Sequence, residues 1–248
     1  MEKREEIFKI EGRNPVFEAL KSERDIDKIY IQKGEGHKSL GKLIRIAKEK
    51  KIPIVETDKR KLDEMSETKA HQGVIAHISP VKYASLDDIV SIAEKKGEPL
   101  FVVVLDGIED PHNLGAVIRT ANAAGVHGVI IPKHRSAYVT PTVVKTAAGA
   151  CFYTPVCKVT NLSAAIKRLK DEGVWFYGAD MHGEKKLFET DFSGGVGIVI
   201  GNEGKGISPV IRKECDFTVN IPMVGQTESL NASVSAGILM YQVLKSRL

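Results

Sequence analysis

Cysteine is scarce in this 248-residue chain, and the three present, Cys151, Cys157 and Cys215, have no metal-ligand spacing. No metal site is therefore expected. An odd cysteine count without a leader segment implies free thiols in a reducing compartment, and so a cytoplasmic protein. Long apolar runs are missing too: no window approaches 18 apolar residues, so no transmembrane helix is expected. The first residues, MEKREEIFKIEGRN, are charged and lack the apolar core of a signal peptide. There is no internal repeat, no low-complexity segment and no Gly/Ser-rich linker.

Net charge is only +4, but it is unevenly placed. Residues 1–82 hold 19 Lys/Arg against 15 Asp/Glu, whereas residues 83–248 hold 17 of each. The whole excess thus sits in the N-terminal third. A basic module joined to a neutral one suggests an anionic partner, most commonly nucleic acid.

Residues 1–80 read as a small α/β unit. Asn14 is placed to cap a helix that has Pro15 in its first turn and ends at Leu20. Strands are expected over 26–32, 52–55 and 73–78, and helices over 39–50 and 59–65. The basic runs KEKK (48–51) and Lys59-Arg60-Lys61 are either solvated faces or phosphate contacts. His71-Gln72-Gly73 is a turn or an RNA contact. A short boundary near 79–83 leads to a second domain, 84–248. There the pattern alternates helix (86–96), strand (100–105), helix (113–124), strand (126–131) and helix (140–148). A helix capped by Asn161 and strands at 174–178, 196–200 and 217–221 follow. A last helix runs from about Ser229 to Arg247. This order argues for an α/β domain with a parallel sheet and helices on both faces. Ligands in such sheets bind beyond the carboxyl ends of the strands.

The organising stretch is DPHNLGAVIRTANAAG, residues 110–125. Asn113 is placed as N-cap and Gly125 as the residue closing the helix. Leu114, Val117, Ile118 and Ala121 form the sheet-facing stripe. Arg119 lies about 100° round from Ile118. Its side of the helix also carries Gly115, Ala116, Asn122 and Ala123, which leaves room for a large ligand; the alternative is a solvated arginine.

Two later loops share this carboxyl edge. Gly201-Asn202-Glu203-Gly204-Lys205-Gly206 follows GVGIVI. It is not a dinucleotide fingerprint, because Ile200 occupies the third glycine position. It is not a P-loop, because Val199 and Gly206 stand where Gly and Ser/Thr belong. What remains is a glycine-rich turn, able to approach a flat ligand closely, that holds Glu203. The other loop, PMVGQTESLN, ends with Ser229 as a plausible N-cap and Asn231 at the second helical position. Ala232, Ser235, Ala236 and Leu239 then form a stripe suited to close helix packing, within the chain or against a second subunit.

NLGAVIRTA, IVIGNEGKGI and IPMVGQTESLNASVSAG, in this order and spacing, resemble the three motifs of the SpoU/TrmH family. These are S-adenosylmethionine-dependent RNA ribose 2′-O-methyltransferases. GRNPVFEAL and HQGVIA are similar to the L30e-like N-terminal substrate-binding domain of the branch that modifies a large-subunit rRNA guanosine. The resemblance implies a SPOUT-type α/β domain with a C-terminal trefoil knot, and a homodimer with its active site at the interface. It implies catalytic roles for Asn113, Arg119, Glu203, Ser229 and Asn231. It also implies S-adenosylmethionine held near Ala179, Gly201, Ile221, Met223 and Leu230. The implied partner is RNA, rRNA before tRNA, with neither DNA nor membrane. Family reasoning makes Arg119 a general base, but a guanidinium with pKa above ~12 is better suited to stabilising charge. The alternative from another class is a non-catalytic RNA-binding protein.

Overall fold

The computed structural model describes residues 8–22, 25–34, 37–227 and 229–248, with His37, Lys38 and Ser39 described through their backbone only. Most of the charged N-terminal stretch (residues 1–7) and Glu228 of the third motif lie outside the described residues. The chain divides into two compact units, Met1–Lys82 and Tyr83–Leu248.

The first unit runs β1 (Lys9–Glu11), α1 (Arg13–Lys21), β2 (Ile26–Gln32), α2 (His37–Glu49), β3 (Ile54–Thr57), α3 (Lys59–Met65) and β4 (Val74–Ile78). Its mixed sheet has the order β1-β4-β2-β3. Val16 and Leu20 of α1 and Leu43 and Ala47 of α2 bury against Ile29 and Ile31. Gly12, not Asn14, is the N-cap of α1, and its φ of 92° suits glycine. His71 is buried; its Nε2 meets Asp63 at 2.9 Å and its Nδ1 accepts the Gly73 N–H. The Gln72 side chain accepts the Arg13 N–H, and the Gln72 carbonyl accepts Arg13 Nε–H. HQG is therefore a structural turn that ties the two N-terminal motifs together.

The second unit runs α4 (Leu86–Lys96), β5 (Phe101–Asp106), α5 (Pro111–Ala123), β6 (Gly128–Pro132), α6 (Pro141–Thr146), β7 (Val156–Val159), α7 (Leu162–Lys170) and β8 (Val174–Ala179). It continues with β9 (Lys185–Lys186), β10 (Gly195–Gly201), α8 (Pro209–Arg212), β11 (Phe217–Asn220) and α9 (Ala232–Arg247). Seven parallel strands stand in the order β7-β6-β5-β10-β8-β11-β9. Phe101, Val102, Val103, Val104 and Leu105 are all buried, which explains why β5 is apolar throughout rather than alternating. Each such side chain contributes roughly 1.5–3 kcal/mol. Helices α4 and α7 bury Ile89, Ile166 and Leu169 on one face. Helices α5 and α9 cover the other and pack on each other. The chain leaves β5 toward β6 and β7, then returns to the far side. There β10 inserts between β5 and β8. That reversal is the place where α/β sheets bind ligands. Among the described residues, no helix is long and apolar enough to cross a membrane. Nor does any group of three or more His, Cys, Asp or Glu assemble there to hold a metal ion.

Candidate functional site

Three carboxyl-end loops build one site. The first leads from β5 into α5. Its N-cap is Asp110, whose side chain accepts the His112 N–H at 2.8 Å, with Pro111 in the first turn. This corrects the expected cap: Asn113 sits one turn in and is buried, free to use its amide elsewhere. Asp110-Pro111 outcompetes Asn113 because proline prefers the first helical position.

The second loop follows β10. Asn202 and Gly206 exchange backbone hydrogen bonds of 3.0 and 2.8 Å, and the Asn202 Oδ1 accepts the N–H groups of Gly204 and Lys205. Asn202 Nδ2 donates to the Gly107 carbonyl, while the Ser208 N–H donates to Asp106. The loop is thereby pinned to the end of β5. A Cβ on Gly201 would lie 2.1 Å from the Gly206 carbonyl carbon and 2.2 Å from the Ile207 nitrogen. Only glycine permits this backbone approach. Glu203 rides at the exposed tip.

The third loop runs from β11 to α9. Asn231, not Ser229, is the N-cap of α9; its Oδ1 accepts from the N–H groups of Ser233 and Val234. That fixes its amide orientation. Asn231 Nδ2 then donates to Asn113 Oδ1 at 2.9 Å and to Glu203 Oε1 at 2.7 Å. Asn113 Nδ2 completes the triangle at 2.6 Å from the same carboxylate oxygen. Two neutral amides thus aim one carboxylate.

Glu203 opens into a cavity of about 360 Å³ at the ends of β8, β10 and β11. Ala179, Gly201, Ile221, Met223, Leu230 and Ser229 all line it. Ile200, Ile207 and Val219 add apolar surface; Asp180 and Arg212, ion-paired at 2.7 Å, add charge. Sequence reasoning did not find Asn202, Asp106, Asp180 or Arg212, whose partners lie on other loops.

Arg119 is not in this cluster. It is exposed and has no hydrogen bond or ion pair among the described residues. Six residues beyond Asn113 on α5, it points about 120° away and roughly 9 Å along the axis. Gly115 also departs from expectation: a Cβ there would lie 2.6 Å from Thr146 Cβ and 3.0 Å from the Val143 carbonyl oxygen. Its smallness admits α6, not a ligand. Ala232, Ala236 and Leu239 are buried within the chain, and Gly237 faces Thr120 of α5.

Residues 99–241 match the SpoU rRNA Methylase family, and residues 9–84 match the family described as RNA 2′-O ribose methyltransferase substrate binding. The chain belongs to the SpoU methylase family. It is 42% identical to YacO of Bacillus subtilis (strain 168), named for the TrmH family of tRNA/rRNA methyltransferases, over 95% of this chain and 94% of that one. A TrmH family relative from Staphylococcus aureus (strain COL) is 44% identical, covering 96% of each chain. The SpoU methyltransferase AviRb from Streptomyces viridochromogenes, solved with the cofactor AdoMet, superposes with a TM-score of 0.60 at 26% identity, over 97% of this chain and 90% of that one. This member of the SpoU family is an RNA methyltransferase.

Proposed function

We propose that this protein transfers a methyl group from S-adenosylmethionine to a ribose 2′-hydroxyl, with a guanosine of large-subunit rRNA as the target. The observation that carries the reading is Glu203, aimed by Asn113 and Asn231 at the mouth of the cavity. The cavity's chemistry fits the cofactor. Its volume lies within the range of small-molecule sites, about 300–1,000 Å³. Ile200, Val219, Ile221 and Leu230 offer an apolar bed for a flat base. The carboxylates of Asp180 and Glu203 suit the cofactor's cationic centres, and Arg212 and Lys205 its carboxylate. In this reading the backbone near Ala179, Gly201, Ile221, Met223 and Leu230 holds the cofactor.

The cofactor, when bound, supplies an electrophilic sulfonium methyl. The protein's part is to position and polarise a weakly acidic hydroxyl. Asn113, Glu203 and Asn231 orient the site, and Ser229 lines it beside the reacting groups. Arg119 holds the target phosphate and stabilises charge on the attacking oxygen. Because Arg119 faces away from its own chain's cavity, it serves the cavity of a second copy, so the protein acts as a homodimer. Exposed Val234 and Tyr241 on α9, with Phe152 and Tyr153 (48–81% exposed), provide apolar surface for that contact. The first unit, with its basic excess, binds the RNA substrate. The C-terminal trefoil knot belongs to the same reading, supported by the late insertion of β10 between β5 and β8.

The test is label transfer from S-adenosylmethionine to RNA lacking native modifications, with wild type and Arg119→Ala side by side. Label in large-subunit rRNA, lost in the variant, is expected. Label in tRNA instead moves the substrate and keeps the chemistry. No label and no cofactor binding would leave a non-catalytic RNA-binding protein.

A further inference from the structure

The second unit is neutral overall, but its charge is divided. Residues 111–170 contain eight Lys/Arg and no Asp or Glu. This stretch builds α5, β6, α6, β7 and α7, with β6 and β7 at one edge of the sheet and α5 and α7 on its opposite faces. Three of the eight are neutralised by acids from outside the stretch: Lys167 by Glu214, Arg168 by Asp87 and Glu172, Lys170 by Asp216. Lys133 and Lys158 have partners as well. Arg119, Arg135 and Lys145 have none among the described residues, and all three are exposed.

Arg135 is unusual in its backbone. It lies in the loop between β6 and α6 with φ of 54°, the left-handed region that a bulky residue adopts at a cost. The loop around it is firmly tied. The Tyr138 hydroxyl donates to the Lys133 carbonyl at 2.7 Å, and the Lys133 N–H donates to the Val159 carbonyl at 2.8 Å. The Ala137 N–H donates to the Ile108 carbonyl at 2.8 Å. This last bond joins it to the loop that delivers Asp110 and Asn113. The Arg135 loop stands two strands from the Glu203 loop, about 10 Å at ordinary strand spacing.

We propose that the β6–α6 connection is a second RNA contact of the methyltransferase unit. Arg135 grips the backbone phosphate of a nucleotide flanking the target, and Lys145 on α6 takes a neighbouring phosphate. The strained conformation presents the guanidinium outward from a fixed loop, on the same edge as the cavity. The occupant is a single RNA strand, because its phosphates complement Arg135 and Lys145, two exposed cations without an acidic partner among the described residues. This inference rests on the methyltransferase reading above, extending it from the reacting ribose to its neighbours.

The experiment compares wild type with Arg135→Ala, Arg135→Gly and Arg135→Ala/Lys145→Ala, using the full chain and the RNA that wild type methylates. The Kd for RNA should rise by roughly an order of magnitude in the single variants. The slope of log affinity against log salt should fall by about 0.7 for each phosphate no longer held. The KM for RNA should rise while the Kd for S-adenosylmethionine stays at the wild-type value. Arg135→Gly should melt at or above wild type, since glycine accepts the left-handed conformation. Weaker RNA binding in a variant that is no less stable separates a phosphate contact from a structural role. Unchanged RNA affinity and salt slope in all three variants, with wild type active, would overturn the inference and leave the methyltransferase reading standing. An inactive wild type would strike at that reading instead.

Discussion

Asn231 does two jobs with one amide, and substitution can separate them. Its oxygen caps α9 through Ser233 and Val234, and its nitrogen bridges Glu203 and Asn113. Asn231→Ala removes both. Loss of the cap costs about 0.5–2 kcal/mol. Loss of a hydrogen bond to a charged group costs about 1.5–3 kcal/mol, and the exposure of Glu203 argues for the lower end. The sum is about 2–3.5 kcal/mol. Asn231→Ser keeps a capping oxygen and loses only the bridge, for about 1–2 kcal/mol. At roughly 2–4 °C per kcal/mol for a unit of this size, alanine should lower the melting temperature by about 5–10 °C and serine by about half as much. Both should lower kcat by about 100-fold, because Glu203 loses a fixed direction. Differential scanning calorimetry of the full chain, followed through the transition of the second unit, measures the first effect. Single-turnover methyl transfer measures the second. If serine and alanine melt together, capping is not the role of that oxygen. If Asn231→Ser retains full transfer, the bridge does not organise the site.

Other substitutions test the packing that shapes the cavity. Gly201→Ala drives a Cβ into the backbone of Gly206 and Ile207, where no side chain can rotate away; a loss above ~3 kcal/mol is expected, with cofactor binding abolished in titration calorimetry. Gly115→Ala should cost about 1–3 kcal/mol against Thr146, read by thermal melting; a neutral outcome would return that side of α5 to a ligand. The first unit should lose stability on acidification in two steps. Burial, together with the charges of Lys28 and Lys9, holds the His77 imidazole down to about 4. Its protonation in the unfolded chain therefore erodes stability as pH falls from about 6.5 to 4. Burial alone would raise the Glu11 carboxyl, but the Ser66 and Thr68 hydroxyls and the Glu67 and Thr68 N–H groups outweigh it and hold it at about 2. Its contribution is present above about 4.5 and lost as pH falls toward 2. Urea unfolding across pH, with His77→Asn and Glu11→Gln, should flatten each window in turn.

Much of this architecture was legible in the residues. The apolar run of β5, the stripe Leu114, Val117, Ile118, Ala121 and the glycine-rich turn before Glu203 follow from periodicity and composition, and all three stand where expected. Caps were less legible. Asn113 and Asp110 are equally good cap residues in isolation, as are Ser229 and Asn231, and tertiary partners chose between them. Gly115 shows a deeper ambiguity, because a missing side chain admits a helix or a ligand equally well. Strand β7, VCKV, carries no alternating pattern and becomes a strand through tertiary pairing with β6 on one side and Ala84 on the other. The Asn202–Gly107 and Arg212–Asp180 links join loops far apart in the chain, beyond the reach of local spacing.

The most direct test of the central claim is the chemical position of the transferred methyl. RNA labelled by the wild-type protein from methyl-labelled S-adenosylmethionine is hydrolysed with alkali, which cannot cleave next to a blocked 2′-hydroxyl. The account predicts that the label appears in one alkali-resistant dinucleotide, that Arg119→Ala abolishes it and that Asn231→Ala slows its appearance by about 100-fold. Label released in ordinary mononucleotides would place the methyl on a base and contradict the reading of the site.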